Sequence, residues 1–306
     1  MIAFLFPGQG SQHAGMGKDL AENFPVARQV YEEANDALGV DLASLCFNGP
    51  EEDLKLTANT QPAILTTSIA ALRVLETEIG IAPNCAAGHS LGEYSALVCA
   101  GALNFADAVR IVRQRGTFMQ EAVPLGTGAM AAILGLDKET LERVCQDAAL
   151  GQVGSPANFN SAGQVVIAGN TEAVDRAMNL AKEHGAKRAL PLPVSAPFHC
   201  SLMIPAGERL ADVLADIKVG DMTVPVITNV EATPNQDASR VCQLLVDQVS
   251  APVLWEDTIA CMIKLDVERY IEIGPGKVLA GLVKRMAKDS TIQNVQNVSD
   301  IRVLTE

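Results

Sequence analysis

Positive charge is scarce in this sequence. Its 306 residues include 23 Lys and Arg against 36 Asp and Glu, which gives a formal net charge of -13. Nucleic acids and anionic membranes attract basic surfaces, so neither is expected as the main partner. Long hydrophobic runs are lacking too, because no stretch reaches the roughly 18 apolar residues of a membrane span. The first residues, MIAFLFPGQGSQ, also lack the basic start of a secretory signal, so we expect a cytoplasmic protein.

Paired cysteine motifs are absent as well. The seven cysteines are an odd number and include no C-x-x-C pair. The pattern therefore indicates neither a disulfide framework nor a zinc site. We expect reduced, mostly buried thiols and no metal site.

Hydrophobic residues are plentiful, at 48% of the chain, and their order alternates between strand and helix patterns. Residues 2–6 predict a short strand, and helical periodicity is found at about 26–38 and 62–79. A strand leading to Ser90 and a helix from about 104 to 123 follow. The length suits one large domain with an insertion, or two modest domains.

A second pattern begins after the glycine-rich stretch PLGTGA. The segments MAAILGL, KETLERVCQDAA, GSPANFNS, QVVIAGN, TEAVDRAMNLAKEHG and KRALPLPV read in order as β-α-β-β-α-β, which is the order of a ferredoxin-like unit. The α/β pattern then resumes with a strand at PVITNV, a helix near 239–249, a strand at RYIEIG and a helix at about 276–288. The predicted fold class is thus α/β, with a large α/β-hydrolase-like domain (1–125 and 198–306) and an inserted ferredoxin-like lobe (126–197).

The stretch AAGHSLGEYSAL predicts a nucleophile. Ser90 lies in a G-x-S-x-G pattern at the corner between an apolar strand and an Ala-rich helix. Gly88 and Gly92 would allow the strand and helix to approach closely and would leave the Ser90 hydroxyl exposed at the end of the sheet. This is the design of a nucleophile elbow.

A serine hydroxyl needs a base, and the sequence has four histidines. His89 must point away from its neighbour Ser90, His184 ends a helix, and His13 lies in the loop after the first strand. His199 follows the inserted lobe in VSAPFHCSLM, where a loop could be aimed across a cleft, and is the favoured base. Several acids lie between residues 90 and 199, and the sequence does not choose a third member among them.

Two glycine-rich loops are further candidates. Leu91, directly after the nucleophile, could offer one oxyanion-hole amide, and FPGQGSQ around Gln9 could offer the second, although a simple strand-to-helix turn explains that loop equally well. EIGPGKVLAG resembles a phosphate loop but lacks the G-x-G-x-x-G spacing, so we interpret it first as a strand-to-helix connection and second as a contact to a cofactor.

The helix NFADAVRIVRQRGTFMQEAV carries three arginines. Val109, Val112, Gly116, Met119 and Val123 share its apolar face at about 100° per residue. Arg113 and Arg115 both flank that face and either could reach inward, whereas Arg110 points outward.

Taken together, five motifs resemble the malonyl-CoA:acyl carrier protein transacylases of fatty acid synthesis: FPGQGSQ, GHSLGEYSAL, RQRG, SAPFH and EIGPG. They cover nearly the whole chain in order. The resemblance implies that Ser90 is the acyl-accepting nucleophile, His199 the base, and Arg115 the residue that holds the malonyl carboxylate. It also implies an orienting backbone carbonyl at Gln248 in place of a triad acid.

The remaining site residues implied by the resemblance are the oxyanion amides of Gln9 and Leu91, Phe198 as a determinant of malonyl selection, and Asn160 as a contact to the acyl or pantetheine group. The implied partners are malonyl-CoA, as a thioester substrate rather than a bound cofactor, and acyl carrier protein. Because both proteins are acidic, docking would require local positive surfaces, for which Lys187 with Arg188, and Lys284 with Arg285 and Lys288, are candidates.

Three alternatives remain at the level of sequence. A serine esterase or thioesterase would keep Ser90 and His199, would use a charged triad acid, and would have no need of Arg115. An inactive carrier-binding module would dispense with Ser90. An acyltransferase of a polyketide pathway would use the same chemistry on another carrier.

Overall fold

The computed structural model describes residues 1–124, 126–194 and 196–305. Leu125 and Glu306, at ends of predicted domain segments, and Ser195, the first residue of SAPFH, lie outside the described residues.

The described residues form ten strands and fourteen α-helices, and most of the predicted elements are present. The strands are β1 Ile2–Phe6, β2 Cys85–Gly88, β3 Gly128–Leu134, β4 Gly154–Ser161, β5 Gln164–Asn170, β6 Arg188–Pro191, β7 Val226–Ile227, β8 Pro234–Asn235, β9 Arg269–Ile273 and β10 Thr291–Val295. The helices are α1 Lys18–Asn23, α2 Pro25–Leu38, α3 Leu42–Asn48, α4 Glu51–Lys55, α5 Thr57–Glu78, α6 Gly92–Cys99, α7 Phe105–Glu121, α8 Lys138–Ala149, α9 Thr171–Glu183, α10 Ile204–Ala215, α11 Ala238–Ser250, α12 Trp255–Lys264, α13 Val278–Met286 and α14 Val298–Thr305.

The larger sheet has the order β10-β9-β1-β2-β7-β8. Its first five strands are parallel and β8 is antiparallel. Because side chains alternate across a strand, Ala3 and Leu5 of β1 pack with α12 and α13, whereas Phe4 and Phe6 pack with the helices on the opposite face. The parallel strands are therefore covered on both faces, and their carboxyl ends form one common edge.

The smaller sheet has the order β4-β5-β3-β6, with every neighbouring pair antiparallel. Its elements follow the predicted β-α-β-β-α-β order, and α8 and α9 bury their apolar sides against it as a separate core.

The smaller sheet is joined to the rest of the molecule through β4. Phe159 N donates to Val253 O at 2.9 Å, and Val253 N donates to Ala157 O at 2.9 Å. The main chain of β4 is thus held directly against the segment that precedes α12, which brings this sheet beside the carboxyl edge of the larger one.

Several element boundaries were predicted wrongly. The helix predicted from residue 62 begins at Thr57 and contains Pro62 in its interior. Proline has no N–H to donate to the carbonyl four residues earlier, and that carbonyl, Ala58 O, instead accepts from Arg113 Nη1 at 3.1 Å. A side chain from α7 therefore satisfies the group that the proline leaves without a partner.

Other predicted elements are shorter. The strand predicted over KRALPLPV is limited to Arg188–Pro191, so Lys187 precedes it, and α13 ends at Met286, so Lys288 lies beyond that helix. PVITNV contributes two strand residues. Several elements were not predicted at all: helices α1, α3, α4, α10, α12 and α14, and strands β8 and β10.

No helix in the described ranges is long and apolar enough to cross a bilayer. Within the same ranges, no group of three or more His, Cys, Asp and Glu side chains is arranged to hold a metal ion. All seven cysteines are free thiols, and Cys46, Cys85, Cys145 and Cys200 are buried.

Candidate active site

Ser90 lies at the carboxyl edge of the larger sheet, in the turn between β2 and α6. Its φ of 50° is in the left-handed region, which is strained for a residue with a side chain and is typical of a nucleophile elbow. A Cβ on Gly88 would lie 1.9 Å from Gly92 C, and one on Gly92 would lie 2.0 Å from Phe6 O. These contacts leave no room for side chains, so the two glycines are what allow β1, β2 and α6 to meet around Ser90.

His199 reaches this serine from the segment that follows the smaller sheet. Its Nε2 lies 2.7 Å from Ser90 Oγ, and its Nδ1 lies 2.9 Å from the backbone oxygen of Gln248. A carbonyl can only accept, so Nδ1 carries the hydrogen and Nε2 is free to accept the Ser90 proton. His184 and His13 lie elsewhere: His184 Nδ1 is bonded to Leu180 O, and His13 Nδ1 to Ser11 O.

The Gln248 carbonyl is available because of its place in α11. Gln248 lies in the last turn, where carbonyl groups have no partner within the helix. The third member is therefore a neutral acceptor, and no carboxylate is bonded to His199 within the described residues.

Arg115 is the arginine that points inward. Its side chain is 1% exposed, and its Nη2 lies 3.2 Å from Ser90 Oγ and 2.9 Å from Gln248 Oε1. Nη1 donates to Gln61 Oε1 at 2.9 Å, and the face of Tyr94 lies 5.5 Å from the guanidinium. Arg113 is bound to the start of α5 and Arg110 is exposed, which resolves the choice that the helical periodicity left open.

The two candidate oxyanion-hole residues line the same space. Gln9, in the loop after β1, and Leu91, at the start of α6, line one cavity with Ser90 and His199. Neither main-chain amide donates to another atom of the described residues. Both are therefore free to bind an oxygen atom beside Ser90.

This acyl cavity is small. Its volume is about 120 Å³, and Phe198, Arg115, Met119 and Met130 contribute to its wall. A cavity of ~150 Å³ holds one benzene, which has about as many non-hydrogen atoms as a malonyl group. The space beside Ser90 is somewhat smaller than that, so it limits the acyl group to a short one.

A second cavity of about 260 Å³ adjoins the first and shares Gln9 and His89 with it. Asn160 and Gln164 of the smaller sheet also line it. Asn160 Oδ1 is 2.8 Å from Nε2 of His89, whose ring lies 5.5 Å from that of Trp255. His89 is therefore bonded to a side chain, and not to the backbone, and it links the two sheets at the entrance to the site.

The candidate docking residues lie on the surface. Lys187, Arg188, Lys284 and Arg285 are all exposed. Arg285 Nη1 donates to Gln164 Oε1, so this residue lies at the mouth of the second cavity.

Sequence reasoning missed three buried residues of the site, Gln61, Glu93 and Asn229. Asn229 Oδ1 accepts from Ser90 N at 2.6 Å, and its Nδ2 donates to Gly88 O at 2.7 Å. Glu93 Oε2 accepts from Gln248 Nε2 at 2.6 Å and from Asn229 N at 3.1 Å. The spacing Ser90-x-x-Glu93 was a visible signal, but it matches a capping box, and neither side chain caps α6.

Burial controls the electrostatics of the site. Desolvation, with a smaller effect of the Arg115 cation, lowers the pKa of His199 to about 3, so the imidazole is neutral and can act as a base. Desolvation raises the pKa of Glu93 to about 7. Desolvation also lowers the pKa of Arg115, but a guanidinium keeps its charge in proteins.

Comparison with known proteins finds relatives over the full length of the chain. The acyl transferase domain family matches residues 3–306. The malonyl CoA-acyl carrier protein transacylase of Escherichia coli (strain K12) is 52% identical over 305 residues, which cover 100% of this chain and 99% of that protein.

Solved structures agree as well. An acyl carrier protein S-malonyltransferase from Vibrio cholerae O1 has 50% identity and a TM-score of 0.97, and the match covers 99% of each chain. A malonyl-transacylase in complex with its type II PKS acyl-carrier protein also has 50% identity and a TM-score of 0.97, over 99% of this chain and 98% of that one.

The resemblance inferred from five short motifs is thus confirmed over the full length in both sequence and fold. The chain is therefore a member of the malonyl CoA-acyl carrier protein transacylase family.

Proposed function

We propose that this protein transfers a malonyl group from CoA to the phosphopantetheine thiol of an acyl carrier protein through a malonyl-serine intermediate. The observation that carries the proposal is the position of Arg115, a buried cation 3.2 Å from the Oγ of a serine that is bonded to a neutral histidine. A hydrolase of uncharged acyl groups has no use for a cation at that place.

In the first half-reaction, Ser90 Oγ attacks the thioester carbonyl and its proton passes to His199 Nε2. The amides of Gln9 and Leu91 bind the oxygen that becomes negative. The C–S bond then breaks, and CoA leaves with the proton from His199. The product is a malonyl ester on Ser90.

In the second half-reaction, the carrier thiol gives its proton to His199 and attacks the ester carbonyl. The bond to Ser90 Oγ breaks, and the serine regains the proton. His199 thus acts once as base and once as acid in each half, and the Gln248 carbonyl keeps its ring in the tautomer that both steps require.

Arg115 selects the acyl group. No carboxylate pairs with its guanidinium in the described residues, so the malonyl carboxylate would be its counterion in the cavity beside Ser90. Phe198 in the cavity wall would limit branching of the acyl chain. Asn160 lines the adjoining cavity, where the pantetheine arm of CoA or of the carrier would lie.

The finer description of the fold is also a proposal. The strand order of the smaller sheet supports a ferredoxin-like lobe over residues 126–197, and the serine turn at the end of a parallel strand supports a hydrolase-like domain over 1–125 and 198–306. We further propose a cytoplasmic enzyme of fatty acid synthesis that uses no bound cofactor. A polyketide carrier would be served by the same chemistry.

The test is formation of the covalent intermediate. Incubation with malonyl-CoA should add one malonyl group to the wild-type chain, as measured by intact mass, and should add none to Ser90→Ala. Addition of a holo acyl carrier protein should remove the group from the enzyme and place it on the carrier. A malonyl adduct in Ser90→Ala would exclude the assigned nucleophile, and release to water at the same rate with and without carrier would indicate an esterase.

A further inference from the structure

We propose that Glu93 is a positioning residue for acyl-group selection, which acts through the side-chain amide of Gln248 to fix the guanidinium of Arg115 beside Ser90. The inference rests on the proposed function and adds to it a residue that touches neither the acyl group nor the reacting atoms.

The three side chains form one continuous chain of hydrogen bonds. Gln248 Nε2 donates to Glu93 Oε2 at 2.6 Å and, less closely, to Ser90 O at 3.0 Å, and Gln248 Oε1 accepts from Arg115 Nη2 at 2.9 Å. All three residues are at most 2% exposed. Bulk water does not reach these groups in the intact protein, so their hydrogen bonds are made to one another.

The hydrogen-bonding chemistry of Glu93 and Arg115 determines the orientation of the Gln248 side-chain amide between them. A guanidinium can only donate, and Glu93 Oε2 is used only as an acceptor. Gln248 therefore satisfies both neighbours in one orientation. If its amide were flipped, its NH₂ group would face the guanidinium, and Arg115 would lose the acceptor that holds it.

The acceptor oxygen of Glu93 matters more than its charge. Gln248 Nε2 and Asn229 N both donate to the same oxygen, Oε2. A proton on the other oxygen would leave both bonds in place.

Gln61, the other side-chain amide bonded to Arg115, is held less firmly than Gln248. Gln61 Oε1 accepts from Arg115 Nη1 at 2.9 Å, but its own NH₂ group has only Met119 Sδ, a weak acceptor, at 3.7 Å. The Nε of Arg115 has no partner among the described residues. Gln248, held by Glu93 at 2.6 Å and by Ser90 O at 3.0 Å, is therefore the firmer anchor of the guanidinium.

Glu93 also supports the serine turn, which affects the choice of readout. Through Asn229 it is connected to Ser90 N and Gly88 O, so its loss should slow transfer of every acyl group. A change in the preference for malonyl over acetyl reports on the Arg115 branch alone, because acetyl has no carboxylate.

The experiment compares the rates at which malonyl-CoA and acetyl-CoA acylate Ser90 in the full-length chain, followed by intact mass. Glu93→Ala should lower the malonyl-to-acetyl ratio by about tenfold or more, which is the effect of one hydrogen bond to a charged group. Gln248→Met, which keeps the backbone carbonyl for His199 and removes the amide, should give the same fall. Glu93→Gln, which keeps an acceptor oxygen, should restore most of the ratio.

A double-mutant comparison decides whether Glu93 acts through Arg115. In the Arg115→Ala background, Glu93→Ala should leave the ratio unchanged, because the group that it positions is gone. Glu272→Gln is the matched control, since Glu272 is also a buried carboxylate but accepts from α13 amides and Asn294. It should leave the ratio as in the wild type.

Three results would overturn the inference: a wild-type ratio in either Glu93→Ala or Gln248→Met, no restoration by Glu93→Gln, or an equal fall in the Arg115→Ala background. If Glu93→Ala fails to fold, Glu93→Met, which fills the space but has no acceptor oxygen, takes its place, and a wild-type ratio in it overturns the inference. A wild-type chain that forms no malonyl adduct would instead contradict the proposed function, and the inference would fall with it.

Discussion

The protonation state of His199 sets the pH range over which Ser90 can be activated. Burial and the Arg115 cation lower its pKa from 6.5 to about 3, so Nε2 is free to accept a proton across roughly pH 5 to 8. We therefore expect that the rate of Ser90 malonylation does not fall as the pH is lowered through 6.5, the ordinary pKa of histidine. Quenched-flow kinetics with detection by intact mass measures this rate.

In that experiment the effect of protonating Glu93 must be separated from the effect of protonating His199, because the pKa of Glu93 is about 7. The control is therefore the same profile in Glu93→Gln. A loss of rate near pH 6.5 that persists in this variant would mean that His199 becomes charged there, contrary to the prediction. His199→Ala should lower the rate by ~100-fold at every pH.

Arg115 should determine which acyl group is transferred. Loss of a buried partner of a charge costs about 2 to 5 kcal/mol, or roughly 30- to 5000-fold, so Arg115→Ala should lose malonyl transfer by that factor. Acetyl transfer should be spared or should increase, because no carboxylate needs the cation. The measurement is the rate of acylation by each CoA ester.

Arg113→Ala is the matched control for that change. Arg113 lies on the same helix, but it binds Ala58 O at the start of α5 and does not line the acyl cavity. It should lower stability and keep the preference for malonyl. If malonyl and acetyl rates fall equally in Arg115→Ala, Arg115 has a structural role only.

Among individual residues, the sequence predicted those that lie in recognisable local motifs. Ser90 has its elbow, and His199 and Arg115 lie in short motifs. Asn229 and Glu93 could not be found in this way, because their partners are separated from them by more than a hundred residues, and only the folded chain brings them together. Gln248 came from the family resemblance alone, since a backbone carbonyl leaves no mark in a sequence.

At the level of elements, the site depends on the close contact between β1, β2 and α6. A Cβ on Gly92 would lie 2.0 Å from Phe6 O, and backbone cannot move away as a flexible side chain can. Gly92→Ala should therefore lower the free energy of unfolding by about 3 kcal/mol or more, at the upper end of overpacking costs. Urea unfolding followed by circular dichroism measures it.

Gly281→Ala is the control for replacing a glycine as such. Gly281 is exposed within α13, and a Cβ there would meet no atom within 4 Å. Because alanine favours helix over glycine, this change should raise stability by up to about 1 kcal/mol. Equal effects of the two substitutions would contradict the packing argument for Gly92.

Some regular elements were predictable, and others of similar length, such as α10, were missed. The spans of α8, β4 and β5 were predicted to the residue, because periodicity and glycine mark both of their ends. Helix α5 was predicted to start too late, because its proline is tolerated only through a distant arginine. Strand β7 has two residues, too few for a pattern.

For the whole molecule, the balance of charge bears on how a carrier can bind. The net charge is -13, and the family resemblance implies an acidic acyl carrier protein, so the mean fields of the two proteins repel each other. Binding then requires a local positive surface near the entrance to the site. We propose two such surfaces: a lobe cluster, Lys187 and Arg188, and a helix cluster, Lys284 and Arg285.

Reversing the charge of the lobe cluster, by Lys187→Glu with Arg188→Glu, should raise the KM for the carrier, mainly through slower encounter. The defect should shrink as added salt screens the charges. The same test applies to the helix cluster, where Arg285 contacts Gln164 at the cavity mouth. Lys55→Glu with Lys218→Glu changes the net charge equally at exposed positions outside both cavities, and should have a smaller effect. Ser90 acylation by malonyl-CoA should change less than carrier transfer, and a carrier KM unmoved by either reversal at low salt would place docking on another face.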